Sequence, residues 1–198
     1  ATAITAALRY RDTTGEGQQI EMPLAEGFLP NLGEFILDFE MNGRVARPQG
    51  NTHHSHAPHG VFPTSGDDQW IAIDVSEDEE WFSLCEVLGA DTLANDARFH
   101  TQLSRFQNRA VLHDELNKYT IKHQKFDLFI ELQRSGVCAG PVTDDMELLE
   151  SPHLIDRGFF EELESPVIGK HRYPGIMTKW VRTPNSIRTP PPRLGEHT

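Results

Sequence analysis

Apolar residues in the first fifty positions recur at helical spacing. Residues 1–12 are rich in alanine and predict a helix, and the glycines of 13–17 predict a turn after it. The alternation at 18–22 predicts a short strand. A second helix is predicted from Pro23 or Ala25 to about Asn42, and Gly43 is a typical helix end. One face of that helix carries the large apolar residues Phe28, Leu32, Phe35, Ile36 and Phe39.

The pattern changes after residue 43. Residues 44–58 are rich in Pro, Gly, Asn and His and predict a loop. Runs at 60–64 and 70–75 predict two strands of a hairpin whose turn is 65–69. Ser76 is the predicted cap of a helix that ends at Gly89, with acidic residues in its first turn.

The remaining chain predicts more helices and a few strands. Helices are expected at 104–122, 125–135 and 144–150, and strands at 159–163 and 177–181. We therefore expect an α+β small domain at 61–180, joined by a linker at 46–60 to the end of another domain at 1–45. Residues 181–198, which include three consecutive prolines, are expected to form a return linker.

Composition narrows the classes of function. The 198 residues carry a net charge of -12, and their basic residues are scattered, which argues against a nucleic-acid partner. No apolar run has the length of a membrane span, so a membrane protein is not expected. Cys85 and Cys138 lie in apolar surroundings and are both predicted to be buried, which favours a reducing cytoplasm. Both chain ends are expected to be cut from something longer, because Ala1 opens a helix without a cap.

Three segments are candidates for chemistry. Histidines 53, 54, 56 and 59 could ligate a metal, but they lack the spaced pairs of metal sites, so a polar loop without metal is the prediction. Acidic residues 77–80 are either a general base or helix-start charge, and the second interpretation is favoured. Residues 14–17 resemble a phosphate-binding turn only weakly. These residues alone do not identify the function of the chain.

Several short motifs nevertheless follow one another in a familiar order. They are TGEGQQIE at 14–21, NGR at 42–44, GN at 50–51, APHGVF at 57–62, WIAI at 70–73, WFSLCEVLG at 81–89, DARF at 96–99, NR at 108–109, GVCAGPV at 136–142 and LGEHT at 194–198. Together they resemble the class III CoA-transferases, also called the CaiB/BaiF family. Each motif is short, but the series covers nearly the whole chain.

The resemblance implies an architecture. Members of this family are interlocked homodimers in which a Rossmann-like large domain binds coenzyme A and a small α+β domain closes over the site. Residues 1–45 would be the end of the large domain. The substrates would be an acyl-CoA and a free carboxylic acid, with no metal.

The resemblance also implies a reaction. The family nucleophile is an aspartate that lies shortly before the helix opening this chain. It attacks the thioester to form an acyl-aspartyl anhydride, and a thioester exchange on the enzyme carboxylate follows. Asp12 lies beyond that helix and does not match, so we expect the chain alone to be an inactive fragment.

Four residues are carried over from the family. His59 and Gly60 occupy the place of the flexible loop over the acyl group, where backbone N–H groups would stabilise an oxyanion. Leu24 resembles a position that contacts CoA. Glu77 falls near a glutamate of the related α-methylacyl-CoA racemases, which keeps racemisation as an alternative. A non-catalytic binding or dimerisation module is the third hypothesis.

Overall fold

The computed structural model describes residues 1–196. It divides into two compact units, an N-terminal unit of residues 1–50 and a main unit that begins at Asn51. The last two residues of the LGEHT motif lie outside the described residues. No helix in the described part of the chain is long and apolar enough to cross a membrane.

The N-terminal unit is entirely helical. It contains helix α1 at Thr2–Thr14, the short helix α2 at Leu24–Phe28, a 3-10 turn at Leu29–Leu32 and helix α3 at Gly33–Asn42. Helix α3 ends as predicted on Gly43, whose φ angle is 66°. Helix α1 extends two residues beyond the predicted range of 1–12 and ends on Gly15, whose φ angle is 80°.

Two predictions for this unit were wrong. Residues 18–22 form no strand, because no other segment within residues 1–50 is a strand with which they could pair. The single helix predicted from Pro23 or Ala25 to Asn42 is interrupted by the 3-10 turn. Pro30 lies at the start of that turn, and proline has no N–H to continue an α-helical ladder.

The main unit begins with two strands and a run of helices. Strands β1 and β2 span His59–Pro63 and Trp70–Asp74. The helices are α4 at Asp78–Leu88, α5 at Asp91–Ala94, α6 at Gln102–Gln107, α7 at Arg109–Thr120 and α8 at Lys125–Arg134. The rest comprises β3 at Cys138–Val142, α9 at Asp145–Leu149, α10 at Pro152–Asp156, β4 at Phe160–Ser165 and β5 at Gly169–Pro174.

The strands form two antiparallel sheets. The first has the order β1-β2-β3, in which His59 pairs with Asp74, and Asp74 pairs with Cys138. The second is the β4-β5 hairpin. Strand β3 was not predicted, because Gly140 and Pro141 are poor strand formers. Residues 177–181, which were predicted to form a strand, do not form one. Strand β4 pairs with β5 at Gly169–Pro174.

Helix ends in the main unit follow local capping chemistry. Helix α4 starts one residue later than predicted, because Glu80 Oε2 accepts bonds from Ser76 N at 2.7 Å and Glu77 N at 3.2 Å, and Glu77 becomes the N-cap. The helix predicted at 104–122 is two helices, since Asn108, with φ −105° and ψ 18°, leaves the helical region between α6 and α7.

One hydrophobic core lies between the first sheet and helices α4, α7 and α8 of the main unit. Its largest fully buried apolar side chains are Trp81, Phe62, Phe99, Ile71, Leu84, Leu112, Leu116, Leu128 and Leu132. Cys85 belongs to this core, as predicted. The prediction of a buried Cys138 was wrong, because in strand β3 it points away from the face on which Ala139 is buried.

Candidate active site

A cleft in the main unit is formed by residues 51–58, which we call the histidine loop, by strand β1 and by the first turns of helix α7. Its volume is about 480 Å³. The lining residues that carry polar chemistry are His56, His59, Arg109, His113 and Asp114, and Pro58, Val61 and Phe62 supply apolar surface. The two residues predicted for the substrate loop, His59 and Gly60, both line this cleft.

The buried side chain of Arg105 binds the backbone of the histidine loop. Its guanidinium is fully buried, and its Nε donates to Ala57 O at 2.8 Å. The same side chain donates to Phe99 O at 3.2 Å and to Asp78 Oδ1 at 2.8 Å. Burial lowers the pKa of Arg105 and the bond to Asp78 opposes that shift. A charged side chain therefore ties the loop to helices α4 and α6.

Two further hydrogen bonds fix the loop. Gln102 Nε2 donates to Ser55 O at 2.7 Å, and Val75 N donates to Pro58 O at 2.9 Å. The Ala57–Pro58 peptide bond is cis. Because three separate donors engage this stretch of backbone, the loop presents its side chains in one arrangement.

The hydrogen bonds of two histidines determine which ring nitrogen carries the proton. His59 Nδ1 lies 2.8 Å from Asn51 O, and a carbonyl oxygen only accepts, so His59 Nδ1 is the donor. His56 Nδ1 lies 2.8 Å from Asp74 Oδ1, and the half-buried carboxylate accepts in the same way. When these rings are neutral, their Nε2 atoms are therefore unprotonated acceptors.

His53 is the centre of the histidine group. Its ring centroid lies 4.1 Å from that of His54, 4.0 Å from that of His56 and 5.3 Å from that of His59. Burial, followed by the charges of these neighbours, lowers the pKa of His53. Its Nδ1 also accepts from His56 N at 3.1 Å, which matches a neutral ring.

Helix α7 supplies the opposite wall of the cleft. The His113 ring packs on Phe62 with centroids 4.6 Å apart. Arg109 lies one turn earlier, and its guanidinium stacks 4.5 Å over the Phe106 ring and donates to Phe106 O at 2.9 Å. A Cβ on Gly60 would lie 3.6 Å from His113 Cε1, an ordinary van der Waals distance, so Gly60 and His113 are near neighbours in this wall.

The other two predicted site residues are Leu24, in the N-terminal unit, and Glu77, in the main unit that contains this cleft. Glu77 is exposed at the start of α4 and does not line it. Leu24 is the first residue of α2, and its side chain is 89% exposed within the N-terminal unit. Their proposed roles in substrate binding therefore rest on the family resemblance.

Other reactive groups of the described chain are placed elsewhere. Burial raises the pKa of Cys85 to about 12, so at neutral pH it is a thiol and a weak nucleophile. No group of three or more His, Cys, Asp or Glu side chains within residues 1–196 is arranged to hold a metal ion.

Sequence reasoning missed Asp74 and His113 as members of the site. Asp74 lies within the strand predicted at 70–75 and belonged to no motif, and His113 was one polar residue on an amphipathic helix. Arg109 belonged to a quoted motif without an assigned role. The available signal was its helical spacing of four residues from His113, which places both on one face of α7.

Comparisons with known proteins agree on one family. The model of CoA-transferase family III matches residues 1–198. The chain is 27% identical over its full length to succinyl-CoA–D-citramalate CoA-transferase of Chloroflexus aurantiacus, and covers 49% of that protein. It is 32% identical, over 99% of its length, to succinate–glutarate CoA-transferase of Agrobacterium fabrum, and covers 48% of that protein.

A solved structure shares the fold. The crystal structure of a CaiB/BaiF family protein from Brucella suis superposes with a TM-score of 0.81 and 28% sequence identity, over 99% of this chain and 50% of that one. The chain thus spans about half the length of the relatives it matches. The α+β fold and the match of the family model over the whole length agree with the resemblance that the motifs indicated. The chain belongs to CoA-transferase family III.

Proposed function

We propose that the protein carrying this chain transfers CoA from an acyl-CoA to a free carboxylate. The observation that carries the proposal is the family match over residues 1–198, supported by relatives that are themselves CoA-transferases. These comparisons do not favour the racemase alternative. CoA enters as part of the substrate, and the proposed reaction uses no metal.

The chain would supply one part of a larger catalytic unit. In this proposal residues 1–45 end a Rossmann-like CoA-binding domain, 46–60 link it to the small domain at 61–180, and 181–198 lead back. Leu24 would contact CoA, since its side chain is exposed and free to meet a ligand. The working form would be an interlocked homodimer in the cytoplasm.

The proposed chemistry begins with an aspartate outside residues 1–198. Its carboxylate oxygen attacks the thioester carbonyl carbon, the carbon–sulfur bond breaks, and CoA leaves as a thiolate. The product is an acyl-aspartyl anhydride, and the thiolate then returns to the aspartyl carbonyl and releases the first acid. The acceptor acid repeats both steps in reverse order. The loop at His59 and Gly60 would cover the acyl group during these steps.

The test uses the protein expressed with all the flanking sequence that its gene encodes. Mixed acyl-CoAs and carboxylic acids are incubated with it in deuterated water, and the thioesters are read by mass spectrometry. New CoA esters without α-deuterium support transfer. Deuterium in unchanged thioesters means racemisation and brings Glu77 into the mechanism. If neither appears across a broad acid panel, the catalytic proposal is wrong and a binding module remains.

A further inference from the structure

Three histidines at the cleft form hydrogen bonds through Nδ1, and one of them differs from the other two. His56 Nδ1 donates to Asp74 Oδ1 at 2.8 Å. His59 Nδ1 donates to Asn51 O, also at 2.8 Å. A protonated imidazole keeps both of its N–H groups, so these two bonds persist when the rings are protonated. His53 Nδ1 is instead an acceptor, and an acceptor nitrogen gives up its lone pair on protonation. Of these three rings, only His53 loses its bonds in acid.

Two backbone amides converge on His53 Nδ1. Ser55 N donates to it at 3.3 Å and His56 N at 3.1 Å, and Ser55 Oγ lies 3.2 Å away. Asn and Asp close turns of this kind with a side-chain oxygen that accepts from amides a few residues further along the chain. No backbone carbonyl within residues 1–196 accepts from either amide. Protonation of His53 would therefore deprive both amides of their acceptor and place a third N–H against them.

The turn that His53 closes leads directly into the wall of the cleft. His53 does not line the cleft itself, but His56 and His59 do. The centroid of the His53 ring lies 4.0 Å from that of His56 and 5.3 Å from that of His59. The His53 ring is therefore connected to the cleft through the backbone of residues 53–56 and through its contacts with these two rings.

The surroundings of His53 favour its neutral form. Burial of the ring, followed by the charges of the three neighbouring histidines, lowers the pKa of His53, and the charge of Asp74 on β2 opposes that shift. The other charged or titratable groups around the loop and the cleft are Asp78 on α4, Arg105 on α6, and Arg109, His113 and Asp114 on α7. Arg105 brings a buried cation to the same backbone, because it donates to Ala57 O at 2.8 Å.

The direction of the pH effect follows from this lowered pKa. When the loop opens, His53 regains the ordinary pKa of histidine, so the open loop binds a proton more tightly than the closed loop. The closed loop is therefore most stable above the pH range in which an unperturbed histidine titrates. Its stability falls as the pH drops through that range, because the proton favours the open form.

We infer that His53 is a positioning residue for this cleft: its neutral ring holds residues 53–56 in the turn that places His56 and His59, and its protonation releases that turn. The wall of the cleft is then ordered at neutral pH and loosened in mild acid. The inference concerns the loop itself, so it stands or falls independently of the reaction proposed above.

The test is amide hydrogen exchange of the protein expressed with all the flanking sequence that its gene encodes. His53→Asn is the matched variant, because Asn Oδ1 is as many bonds from the backbone as His Nδ1, accepts hydrogen bonds and does not titrate. At neutral pH we expect equal exchange of residues 53–56 in wild type and His53→Asn. In mild acid the wild-type loop should exchange about 10-fold faster than that of His53→Asn, as for the loss of one or two hydrogen bonds.

Variants are compared at the same pH, because the intrinsic exchange rate itself depends on pH, and the loop is read relative to helix α7 in the same sample. His53→Phe keeps an aromatic ring but has no acceptor, so its loop should exchange rapidly at both pH values. His54→Asn removes an exposed ring that stacks 4.1 Å from His53 and should keep the pH dependence of wild type. Equal exchange of wild type and His53→Asn in acid, or a protected loop in His53→Phe at neutral pH, would overturn the inference.

Discussion

The two units of the chain differ in what surrounds their apolar residues. Within residues 1–50, all of which the structure describes, no residue is buried, although Phe28, Phe35 and Phe39 recur at helical spacing. The main unit buries large side chains such as Trp81, Phe99 and Leu116 completely. An apolar stripe predicts that a helix has a partner, and it does not say where in the chain that partner lies.

The units also differ in how they use polar groups. The ion pairs of the N-terminal unit are exposed, as for Arg11 with Asp12 and Arg44 with Asp38. The main unit contains the fully buried Arg105 and the nearly buried Lys125, each of which donates to at least one backbone carbonyl and to a carboxylate. Because buried polar groups need hydrogen-bond partners, these two side chains depend on how several elements of the main unit pack together.

The largest effect is expected at Arg105. Arg105→Ala leaves the carbonyl groups of Ala57 and Phe99 without their donor and opens a cavity against Trp81, so the free energy of unfolding should fall by about 3–5 kcal/mol. Urea denaturation measures it. Arg98→Ala, at an exposed ion pair, is the matched control and should stay close to wild type. An equal effect of the two changes would mean that burial of Arg105 does not matter.

Leucines in the two units should respond differently to truncation. Leu116 is fully buried on α7, so Leu116→Ala should cost about 2–5 kcal/mol of unfolding free energy. Leu37 is 60% exposed on α3, and in the 198-residue chain Leu37→Ala should change stability by less than about 0.5 kcal/mol. The same pair in the full-length protein sharpens the comparison. A large cost of Leu37→Ala there would show that other residues cover the face of α3.

Hydrogen exchange should separate the units directly. In the 198-residue chain we expect amides of α1 and α3 to exchange about 100-fold faster than those of α7, because short helices without a buried face are marginally stable. Mass spectrometry of peptic peptides measures the rates. Equal protection of α1 and α7 in this chain would contradict the comparison.

The smallest effect concerns the pH dependence of the pair formed by Lys125 and Glu147, whose Nζ and Oε2 atoms are 2.7 Å apart. The bond to Lys125 lowers the pKa of Glu147 in the folded state. Its stabilisation is therefore present above the pH range in which an unfolded glutamate titrates, and is lost as pH falls through the lowered pKa.

Glu147→Gln should accordingly flatten the fall of Tm between neutral and acid pH, with a lower Tm at neutral pH. Thermal melts across that range measure it, and Glu131→Gln, an exposed residue of α8, is the control. A profile for Glu147→Gln that stays as steep as wild type would remove this pair from the acid sensitivity of the main unit.

Local signals predicted much of the fold and less of the site. The periodicity, the glycine helix ends and the turn at 65–69 were sufficient for α1, α4 and the β1-β2 hairpin. Strand β3 was missed because Gly140 and Pro141 contradict strand propensity, and its pairing with β2 overrides that preference. The break at Asn108 was missed because the apolar pattern continues through it.

The candidate site shows the same division. The sequence indicated His59 and Gly60 through a family motif, and the cleft contains both. It did not indicate that His56 would bind Asp74, eighteen positions away, or that His113 would pack on Phe62. Such contacts depend on where strand β2 and helix α7 lie beside the loop, and local propensity carries no information about them.

The sequence by itself determined the family, the order of most helices and strands, and the residues of the histidine loop. These follow from patterns that act over a few neighbouring residues or from motifs in a fixed order. Only the tertiary structure decided which ring nitrogens carry protons, which charged side chains are buried, and which apolar faces are covered. Each of those depends on distances between segments far apart in the chain, since hydrogen bonds and ion pairs form only between atoms that the fold brings within a few ångströms.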